Sequence, residues 1–323
     1  MKRMVSSAVA FSLFFLLTSP NAQAATDFPT KPIRIVVPAA PGGALDLTTR
    51  LVAEKMSEDL GQTIIVDNRP GAGSLIGTRY VKTAKADGYT LLSQANGFTL
   101  LPQTKINPGY DPAKDFTGIG FMTRSPLVIE TSTTQPEGTL QDFMARVKAN
   151  PGQLSYGHGG VSTPIHLAAA SFLHKTGLNM LSVPYKGNGP VLLDVIGNRL
   201  HLVFDGYISS APFIGNGQLR PLAVTSDKRM ESLKDVPTLK EQGVDFSYTL
   251  WLGLLAPSGV PNEVVNRLSQ SLKYALESKE LNKRFIEEGS DPTFVTPAFF
   301  TDYYKNEAVD MVKVAADLQL PRD

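Results

Sequence analysis

The chain has 323 residues, of which 42% are hydrophobic and 19% are charged, and its formal net charge is +1 at pH 7. This composition is typical of a globular protein, and without basic runs we expect no binding to nucleic acid or to acidic membrane surfaces. The sequence contains no cysteine, which excludes a disulfide framework, thiol chemistry and a lipid-anchored amino terminus.

The first residues have the pattern of a secretory signal peptide. Lys2 and Arg3 precede the apolar stretch MVSSAVAFSLFFLLTS, and NAQA ends in the small-x-small pattern Ala22-Gln23-Ala24. A membrane anchor is the alternative, but the apolar part is shorter than the roughly 20 residues that a span needs. We therefore expect cleavage after Ala24 and a soluble, exported protein, most simply a periplasmic one.

The next part of the chain alternates strands and helices. IRIVVP is nearly continuously apolar, as in a strand buried on both faces, and a helix is predicted from about Asp46 until Gly61 stops it. A strand at TIIVD, a Gly-rich turn, a helix over about 74–85 and a strand at TLLSQA follow. This β-α-β-α-β order indicates a parallel sheet covered by helices.

A proline- and glycine-rich passage, residues 101–120, separates this unit from a second one of the same kind. The second unit is predicted to contain strands near 126–132, 154–157, 179–185, 200–204 and 219–226, and helices near 139–149, 163–176 and 190–197. LWLGLLAP then predicts a strand, and two or three helices end the chain. Because the chain after residue 24 is longer than one core usually supports, we expect two α/β lobes joined by crossing strands, with a cleft between them.

The stretch PAAPGGALD places Gly42 and Gly43 between the end of a strand and the start of a helix. Glycine allows close backbone approach, and a helix start presents unpaired N–H groups with a partial positive charge. Since ligands of open α/β sheets bind beyond the carboxyl ends of strands, we interpret residues 38–46 as an anion site. A tight turn without a ligand is the alternative, and Asp46 is expected to cap the helix rather than to act as a catalytic acid.

A second loop of this character lies in GHGGVSTPIHL. Ser162 or Thr163 is placed as the N-cap of a helix that begins at Pro164 and ends at Gly177. Two such helix starts, one in each lobe, could hold one carboxylate from two sides through hydrogen bonds of roughly 1.5–3 kcal/mol each. Three or four such bonds, less the losses of association, are compatible with an affinity of about micromolar, and no lysine or arginine need touch the ligand.

Three histidines recur every eight residues, at 158, 166 and 174, which suggests a metal site. Eight helical residues turn by about 800°, so His166 and His174 differ by roughly 80° in direction. Without cysteine or a His-x-x-x-His pair we expect no metal. His158 is the better candidate for a ligand contact, with an exposed loop histidine as the alternative, whereas His166 could face the cleft or pack.

Other motifs give no sign of a cofactor or of catalysis. Gly71-x-Gly73 resembles a dinucleotide fingerprint, but Ile76 stands where the third glycine belongs. The sequence has no Gly-x-Ser-x-Gly elbow and no Walker lysine, and no acid, base and nucleophile at a recognisable spacing. We therefore expect no cofactor and no enzyme.

Two further strand ends could face the cleft. Tyr185, Lys186 and Gly187 lie in VPYKGNGP, just before a helix predicted to start at Pro190; a packed tyrosine and a solvated lysine are the alternative. Asp205 follows the strand LHLVF. It could accept a hydrogen bond from a ligand amine or hydroxyl, or it could be an ordinary turn residue.

One long segment and several shorter ones are together specific evidence for a protein family, although each segment alone is weak evidence. They are KPIRIVVPAAPGGALDLTTRLVAEKMSEDLGQTIIVDNRPGAGSLIG, ADGYTLL, YDPAKDF, VPYKG, GQLRPLAVTSDKR, DVPTLKEQGVDF and LAPSGVP. On these segments, which cover essentially the whole mature chain, the sequence resembles the Bug/TctC family. Members of that family are the substrate-binding proteins of tripartite tricarboxylate transporters.

The resemblance implies a type II periplasmic-binding-protein fold, α/β in class, whose two lobes are each a sheet flanked by helices. It implies that the cleft closes on a small carboxylate, partly through loop backbone and ordered water, for delivery to a membrane permease. The residues expected at the site are Ala39, Ala40, Gly42, Gly43, Ala44, Leu45, Asn96, Gly97, Gly157, His158, Gly159, Ser162, Thr163, Tyr185, Lys186 and Asp205. His158 stands where many relatives have a small residue, which could favour an aromatic or second carboxylate group there.

The predicted division of the chain follows from these units. It comprises a signal peptide at 1–24, a first lobe of 25–125 plus 227–323, a second lobe of 126–226, and hinge strands near 124–128 and 222–228. We expect a monomer that binds a di- or tricarboxylate or an aromatic acid. Two alternatives stay open: a carboxylate-responsive sensor with a signalling partner, and a periplasmic hydrolase or isomerase that uses His158 with Asp205.

Overall fold

The computed structural model describes residues 28–317, 320 and 322. The predicted signal peptide lies outside the described residues. The strands are β1 (Ile33–Val37), β2 (Ile64–Asn68), β3 (Thr90–Ala95), β4 (Phe116–Pro126), β5 (Val128–Ser132), β6 (Ser155–His158), β7 (Leu181–Pro184), β8 (Leu202–Asp205), β9 (Leu219–Val224) and β10 (Thr249–Pro257). None of the described helices has both the length and the apolar composition needed to cross a membrane.

The helices lie between and after these strands. They are α1 (Ala44–Leu60), α2 (Leu75–Lys82), α3 (Gly97–Thr104), α4 (Pro112–Asp115), α5 (Leu140–Ala149), α6 (Pro164–Thr176), α7 (Gly189–Ile196), α8 (Tyr207–Gly215), α9 (Asn262–Glu277), α10 (Lys279–Glu287) and α11 (Pro297–Asp317). Two short 3₁₀ segments span Ala72–Ser74 and Glu231–Leu233. As predicted, Gly61 ends α1 in the left-handed conformation, with a φ of 63°.

The described strands form two sheets with the same design. The first has the order β2-β1-β3-β10-β4 and the second β7-β6-β8-β5-β9. In each sheet three neighbouring strands are parallel, β2-β1-β3 and β7-β6-β8, and the other two strands join in antiparallel pairings. Parallel strands covered by helices are buried on both faces, which explains the apolar run of β1. The predicted α/β fold of two helix-flanked sheets is confirmed.

The chain passes between the sheets where three segments meet. Leu127 lies between β4 and β5; its N–H donates to Thr225 Oγ1 at 2.8 Å, and the Thr225 N–H donates to Leu127 O at 2.9 Å. Thr225 Oγ1 also donates to Tyr248 O at 2.7 Å, and the Tyr248 N–H donates to Thr225 O at 3.0 Å. Thr225 therefore links the three segments in which the chain crosses between the two sheets.

The lobe boundaries given above stay a prediction. The contacts after β9 concern the second predicted crossing, near 222–228. Thr238 pairs with Val224 of the second sheet, and the Leu239 N–H donates to Val224 O at 3.1 Å. These contacts favour a return to the first sheet near Tyr248, rather than near 222–228.

The passage 101–120 contains more regular structure than its composition suggested, since α3 ends and β4 begins within it. The strand is hard to recognise in the sequence, because Gly118 and Gly120 contribute no apolar side chain to the hydrophobic pattern. They are needed there, because an added Cβ would lie 2.8 Å from Phe300 Cδ1 at Gly118 and 2.9 Å from Leu272 Cδ2 at Gly120. The close packing of helices on β4 thus requires the residues that obscure it in the sequence.

An aromatic cluster fixes α11 on the first sheet. The Phe300 ring is fully buried, and its centroid lies 4.6 Å from that of Phe121, 5.5 Å from that of Trp251 and 5.4 Å from that of Tyr304. Aromatic pairs at these separations add about 0.5–1.5 kcal/mol each beyond the burial of their area.

We predict that Phe300→Ala lowers the free energy of unfolding by about 3–5 kcal/mol, because it leaves a cavity against β4 and β10. Urea denaturation followed by circular dichroism measures the change. Phe299→Ala is the matched control, since Phe299 precedes Phe300 on α11 and is 54% exposed. Equal losses in the two variants would contradict this role of Phe300.

Candidate functional site

A cavity of about 70 Å³ lies between the two sheets, at the ends of their parallel strands. The loop after β1 and the start of α1 form one side, together with residues of β3 and β10, and the loops after β6, β7 and β8 form the other. Its lining residues are Ala39, Gly43, Ala44, Leu45, Asp46, Ser74, Gln94, Ala95, Gly159, Thr163, Pro164, Ile165, Gly187, Asn188, Asp205, Leu250 and Leu252. This is the place where an α/β sheet commonly binds its ligand.

The structure brings part of the predicted set to this cavity and adds to it. The predicted residues that line the cavity are Ala39, Gly43, Ala44, Leu45, Gly159, Thr163 and Asp205. Two further lining residues, Asp46 and Gly187, lie in loops that the sequence placed at the cleft, and those given no such position are Ser74, Gln94, Ala95, Pro164, Ile165, Asn188, Leu250 and Leu252. The assignment of ligand contacts itself stays a prediction.

The start of α1 contributes backbone to the cavity. Gly43 is the N-cap and makes no side-chain capping bond. Asp46 does not cap the helix as expected: its Oδ2 accepts at 3.0 Å from the N–H of Gly42, which precedes the N-cap, so Asp46 holds the loop. Burial raises the pKa of Asp46, but hydrogen bonds from Arg50, Gly42 and Asn68 outweigh it and hold the pKa below its usual range. The Asp46 charge is thus balanced by partners within the protein.

Two more helix starts face α1 across the cavity. Thr163 is the N-cap of α6 and accepts from the His166 N–H at 3.4 Å, which decides between Ser162 and Thr163 in favour of the latter. Asn188 is the N-cap of α7 and lines the cavity. Sequence reasoning gave Gly187 as a possible cleft residue but gave Asn188 no role.

His158 is not a cavity residue. It is fully buried; its Nε2 lies 2.8 Å from Ser182 Oγ, and its Nδ1 accepts from the Gly160 N–H at 3.2 Å. The His158 and His166 ring centroids are 4.4 Å apart. Burial, together with the neighbouring His166, lowers the pKa of His158 to about 4. The alternative, an exposed loop histidine, is wrong, because the ring is buried and holds the loop after β6, whereas the ligand contact expected of His158 stays a prediction.

Three other predicted residues are engaged away from the cavity. Asn96 Nδ2 donates to Glu307 Oε1 at 3.1 Å, and the Trp251 N–H donates to Asn96 Oδ1 at 2.9 Å. Gly157 lies in the core of the second sheet, where an added Cβ would be 2.5 Å from a methyl carbon of Leu200. The Tyr185 hydroxyl donates to Asp194.

The remaining predicted residues join the two sides of the cleft. The Ala40 N–H donates to Lys186 O at 2.8 Å, so Lys186 contributes its backbone while its side chain is exposed. Ser162 Oγ lies 2.5 Å from Thr104 Oγ1. A Cβ added at Gly97 would lie 2.7 Å from Ser162 O. At Ala40 and at Gly97 the two sides of the cleft therefore approach each other through main-chain atoms.

Two buried acids lie on paired strands of the second sheet, Asp205 at the end of β8 and Glu130 in β5. Asp205 is 1% exposed; its Oδ1 accepts from Asn188 Nδ2 at 2.7 Å and its Oδ2 accepts from Ser209 Oγ. Burial raises the pKa of Asp205 to about 6. Glu130 is fully buried, and neither of its oxygens has a partner among the described residues. Burial, with the charge of Asp205, raises the pKa of Glu130 well above its usual range, which favours its protonated form.

The polar lining of the cavity is unusual for the anion site that the sequence predicts. Its residues include Asp46 and Asp205 but no lysine, arginine or histidine. Positive potential comes instead from the converging helix starts, each equivalent to roughly half a charge. Among the described residues no cluster of three or more acidic or histidine side chains could hold a metal ion.

Two helix-flanked sheets with a cavity between them are typical of the class of two-lobe solute-binding proteins. The model of the family described as tripartite tricarboxylate transporter family receptor, TctC, matches residues 48–308. The chain belongs to this family, and the predicted resemblance is confirmed.

Solved structures agree with this assignment. The periplasmic binding protein BugD is 31% identical, with 92% of this chain and 100% of that chain covered and a TM-score of 0.88. An R. palustris protein with adipate is 32% identical, with 92% and 100% covered and a TM-score of 0.87. MatC from Rhodopseudomonas palustris, with bound malate, is 26% identical, with 89% and 99% covered and a TM-score of 0.84.

The buried histidine pair predicts a dependence of stability on pH. The folded-state pKa of His158, about 4, lies below the ordinary value of about 6.5. As the pH falls from 6.5 towards 4, the unfolded chain binds a proton that the folded chain does not, so the free energy of unfolding decreases. Each such histidine contributes a slope of up to about 1.4 kcal/mol per pH unit, whereas Asp205, whose pKa is raised, acts in the opposite direction at the same pH.

We therefore expect His158→Asn to lose stability less steeply than the wild type between pH 6 and 4.5. Urea denaturation at a series of pH values measures both curves, and the difference between them removes the contribution of Asp205. The same comparison at pH 7.5, where the ring is neutral in both states, gives the cost of altered packing alone. Parallel curves for the two proteins would show that His158 does not titrate in this way.

Proposed function

We propose that this protein is a periplasmic receptor that captures a small organic carboxylate and delivers it to the membrane permease of a tripartite transporter. One observation carries the proposal: the start of α1 on one side and the starts of α6 and α7 on the other converge on a single cavity. The solved relatives with adipate and with malate support the ligand class. The signal-peptide pattern and the likeness to the periplasmic BugD support the location.

Backbone N–H groups can hold a carboxylate here without a cationic side chain. The N-cap Gly43 has no side chain that could occupy the N–H groups of the first turn of α1, and unpaired N–H groups at a helix start favour an anion. Hydrogen bonds to a charged acceptor contribute about 1.5–3 kcal/mol each. Three or four of them, less the cost of association, correspond to a dissociation constant of about micromolar.

We further propose that the two sheets belong to lobes that separate to admit the ligand and close over it. The cavity of about 70 Å³ is smaller than the roughly 150 Å³ that holds benzene in an engineered protein core. The two sides of the cleft therefore have to move apart to admit a ligand of several carbons. Leu127, Thr225 and Tyr248 lie where the chain crosses between the sheets, and a few residues at such crossings can absorb a hinge motion.

Isothermal titration calorimetry with purified mature protein tests the ligand class. The panel contains mono-, di- and tricarboxylates, aromatic acids, amino acids, and neutral and cationic solutes. We expect at least one carboxylate to bind at about micromolar, with one site per chain and no conversion of the ligand on prolonged incubation. Binding of a neutral or cationic solute alone would refute the ligand class, and accumulation of a product would indicate an enzyme.

We predict that Gly97→Ala weakens carboxylate binding at least about tenfold. An added Cβ would lie 2.7 Å from Ser162 O and 2.9 Å from Pro164 Cδ, both on the other side of the cleft. It would therefore hinder closure, whereas alanine at the first residue of α3 suits the helix itself. Calorimetry gives the affinity, and urea denaturation without ligand is expected to change by less than about 1 kcal/mol.

Gly215→Ala is the matched control for this prediction, because no atom lies within 4 Å of the Cβ that it would add near the end of α8. It is expected to bind like the wild type. If Gly97→Ala also bound like the wild type, the closed arrangement of the two sides would not be the one that holds the ligand.

A further inference from the structure

We infer that the first sheet carries a second binding site, outside the cleft, for an uncharged compound with several hydroxyl groups, of the chemical class of a sugar. The site is a groove of about 570 Å³ between α9 and the start of α11, and Asn266, Ser269 and Phe294 are among the residues that line it. We call it the outer groove. This inference goes beyond the proposed receptor function and does not depend on it.

The outer groove lies at the end of the first sheet that is remote from the cleft. Thr117 lines the groove and pairs with Ala256, near the end of β10. The cleft cavity is lined instead by Leu250 and Leu252, near the start of that strand. A ligand in the outer groove would therefore leave the cleft free. The volume of the groove falls within the roughly 300–1,000 Å³ that sites for small molecules occupy.

The side of α9 that lines the outer groove carries amides where a surface helix usually carries charges. Asn262, Asn266 and Gln270 lie four residues apart and are exposed, and their amides bond to no other described residue. Beyond the groove α9 carries a charged pair, Lys273 with Glu277. Asparagine forms helices less readily than lysine or glutamate, so helix stability does not explain these amides. Because an amide both donates and accepts, it suits the hydroxyl groups of a ligand.

Ser269 offers a further polar group to the same groove. It is 2% exposed, and its Oγ has no hydrogen-bond partner among the described residues. A helical serine can donate to the carbonyl one turn earlier, but Ser269 does not, and buried polar atoms are rarely left without a partner. A ligand hydroxyl would supply one. The half-buried ring of Phe294 adds an apolar surface on which the carbon face of a sugar ring can pack.

The charges around the outer groove favour an uncharged ligand. α9 starts at Asn262 and α11 at Pro297, and both residues line the groove; the partial positive charge of two helix starts opposes a cation. The exposed carboxylate of Asp302 opposes an anion, and the described residues that line the groove include no lysine or arginine. Hydroxyl groups can donate to Asp302 and accept from the amides, so they match this mixed lining.

Saturation-transfer NMR on the purified mature protein tests the inference. The neutral probes are glucose, cellobiose and trehalose, and the charged probes are glucuronate and protonated glucosamine, which share the ring of glucose. We expect at least one neutral probe to bind with a dissociation constant of about millimolar, as a few hydrogen bonds between uncharged groups provide. Both charged probes are expected to bind at least about threefold more weakly than the tightest neutral one.

Two variants locate the site. Asn266→Ala is expected to weaken the tightest neutral probe at least about threefold, through the loss of a hydrogen bond between uncharged groups. Ser269→Ala is expected to weaken it similarly without loss of resistance to urea, because it removes a buried hydroxyl that the folded protein leaves unpaired. Asn306→Ala is the matched control, since Asn306 is an exposed asparagine of α11 that does not line the groove. It should bind like the wild type.

Three results would overturn the inference. The first is the absence of saturation transfer to every neutral probe. The second is sugar binding that Asn266→Ala leaves unchanged, because the site would then lie elsewhere. The third is tighter binding of glucuronate or glucosamine than of all neutral probes, which would refute the uncharged class. Calorimetry with a carboxylate should give the same affinity for Asn266→Ala and the wild type, so this inference can fail while the proposed receptor function stands, and the reverse.

Discussion

The two sides of the cleft approach each other backbone to backbone, and the candidate site depends on this approach. A Cβ added at Gly97 would meet Ser162 O, and Ala40 donates its N–H to Lys186 O. On the opposite edge, a Cβ added at Gly187 would lie 2.6 Å from Ala40 N. Glycine is therefore required on both edges of the cleft, because a side chain at either position would hold the helix starts farther apart.

The electrostatics of the site follow from the same design. Helix starts supply the positive potential, so the surrounding side chains are free to be acidic. Asp46 is balanced by Arg50, whereas Asp205 and Glu130 have no such cation and are instead shifted towards their protonated forms by burial. Carboxyl groups can thus be buried beside the cavity without a cationic partner, and Asp205 is the one of these two that lines it.

Much of the fold could be predicted from the sequence, because the apolar strands and the capped helices have strong local signals. β3 has the predicted bounds, and α6 begins with the predicted cap and ends at the predicted glycine. β4 was hidden because its glycines accommodate helices that come much later in the chain. The part of the site made of loop backbone was also predictable, since glycines beside a helix start indicate it directly.

Side-chain roles were harder to predict, because they depend on partners that are distant in sequence. Asn96 is occupied by Glu307, which lies 211 positions later. The complete burial of His158 depends on the surrounding fold, and no local sequence pattern indicates it. Asn188 was missed because asparagine beside glycine and proline is typical of a turn, and only the position of Asp205 shows that its amide is held with one oxygen left over.

In a binding site built from main-chain groups, the anchoring of a charged ligand and the choice among ligands depend on different groups, whereas most pockets use the same side chains for both. Replacing side chains around the cavity would leave the peptide groups of the helix starts in place, so in the receptor proposed above the choice of ligand could change while the anchoring of the anion is retained. This independence would make the scaffold suitable for biosensors, in which a set of receptors for different acids could share one optical reporter at the proposed hinge.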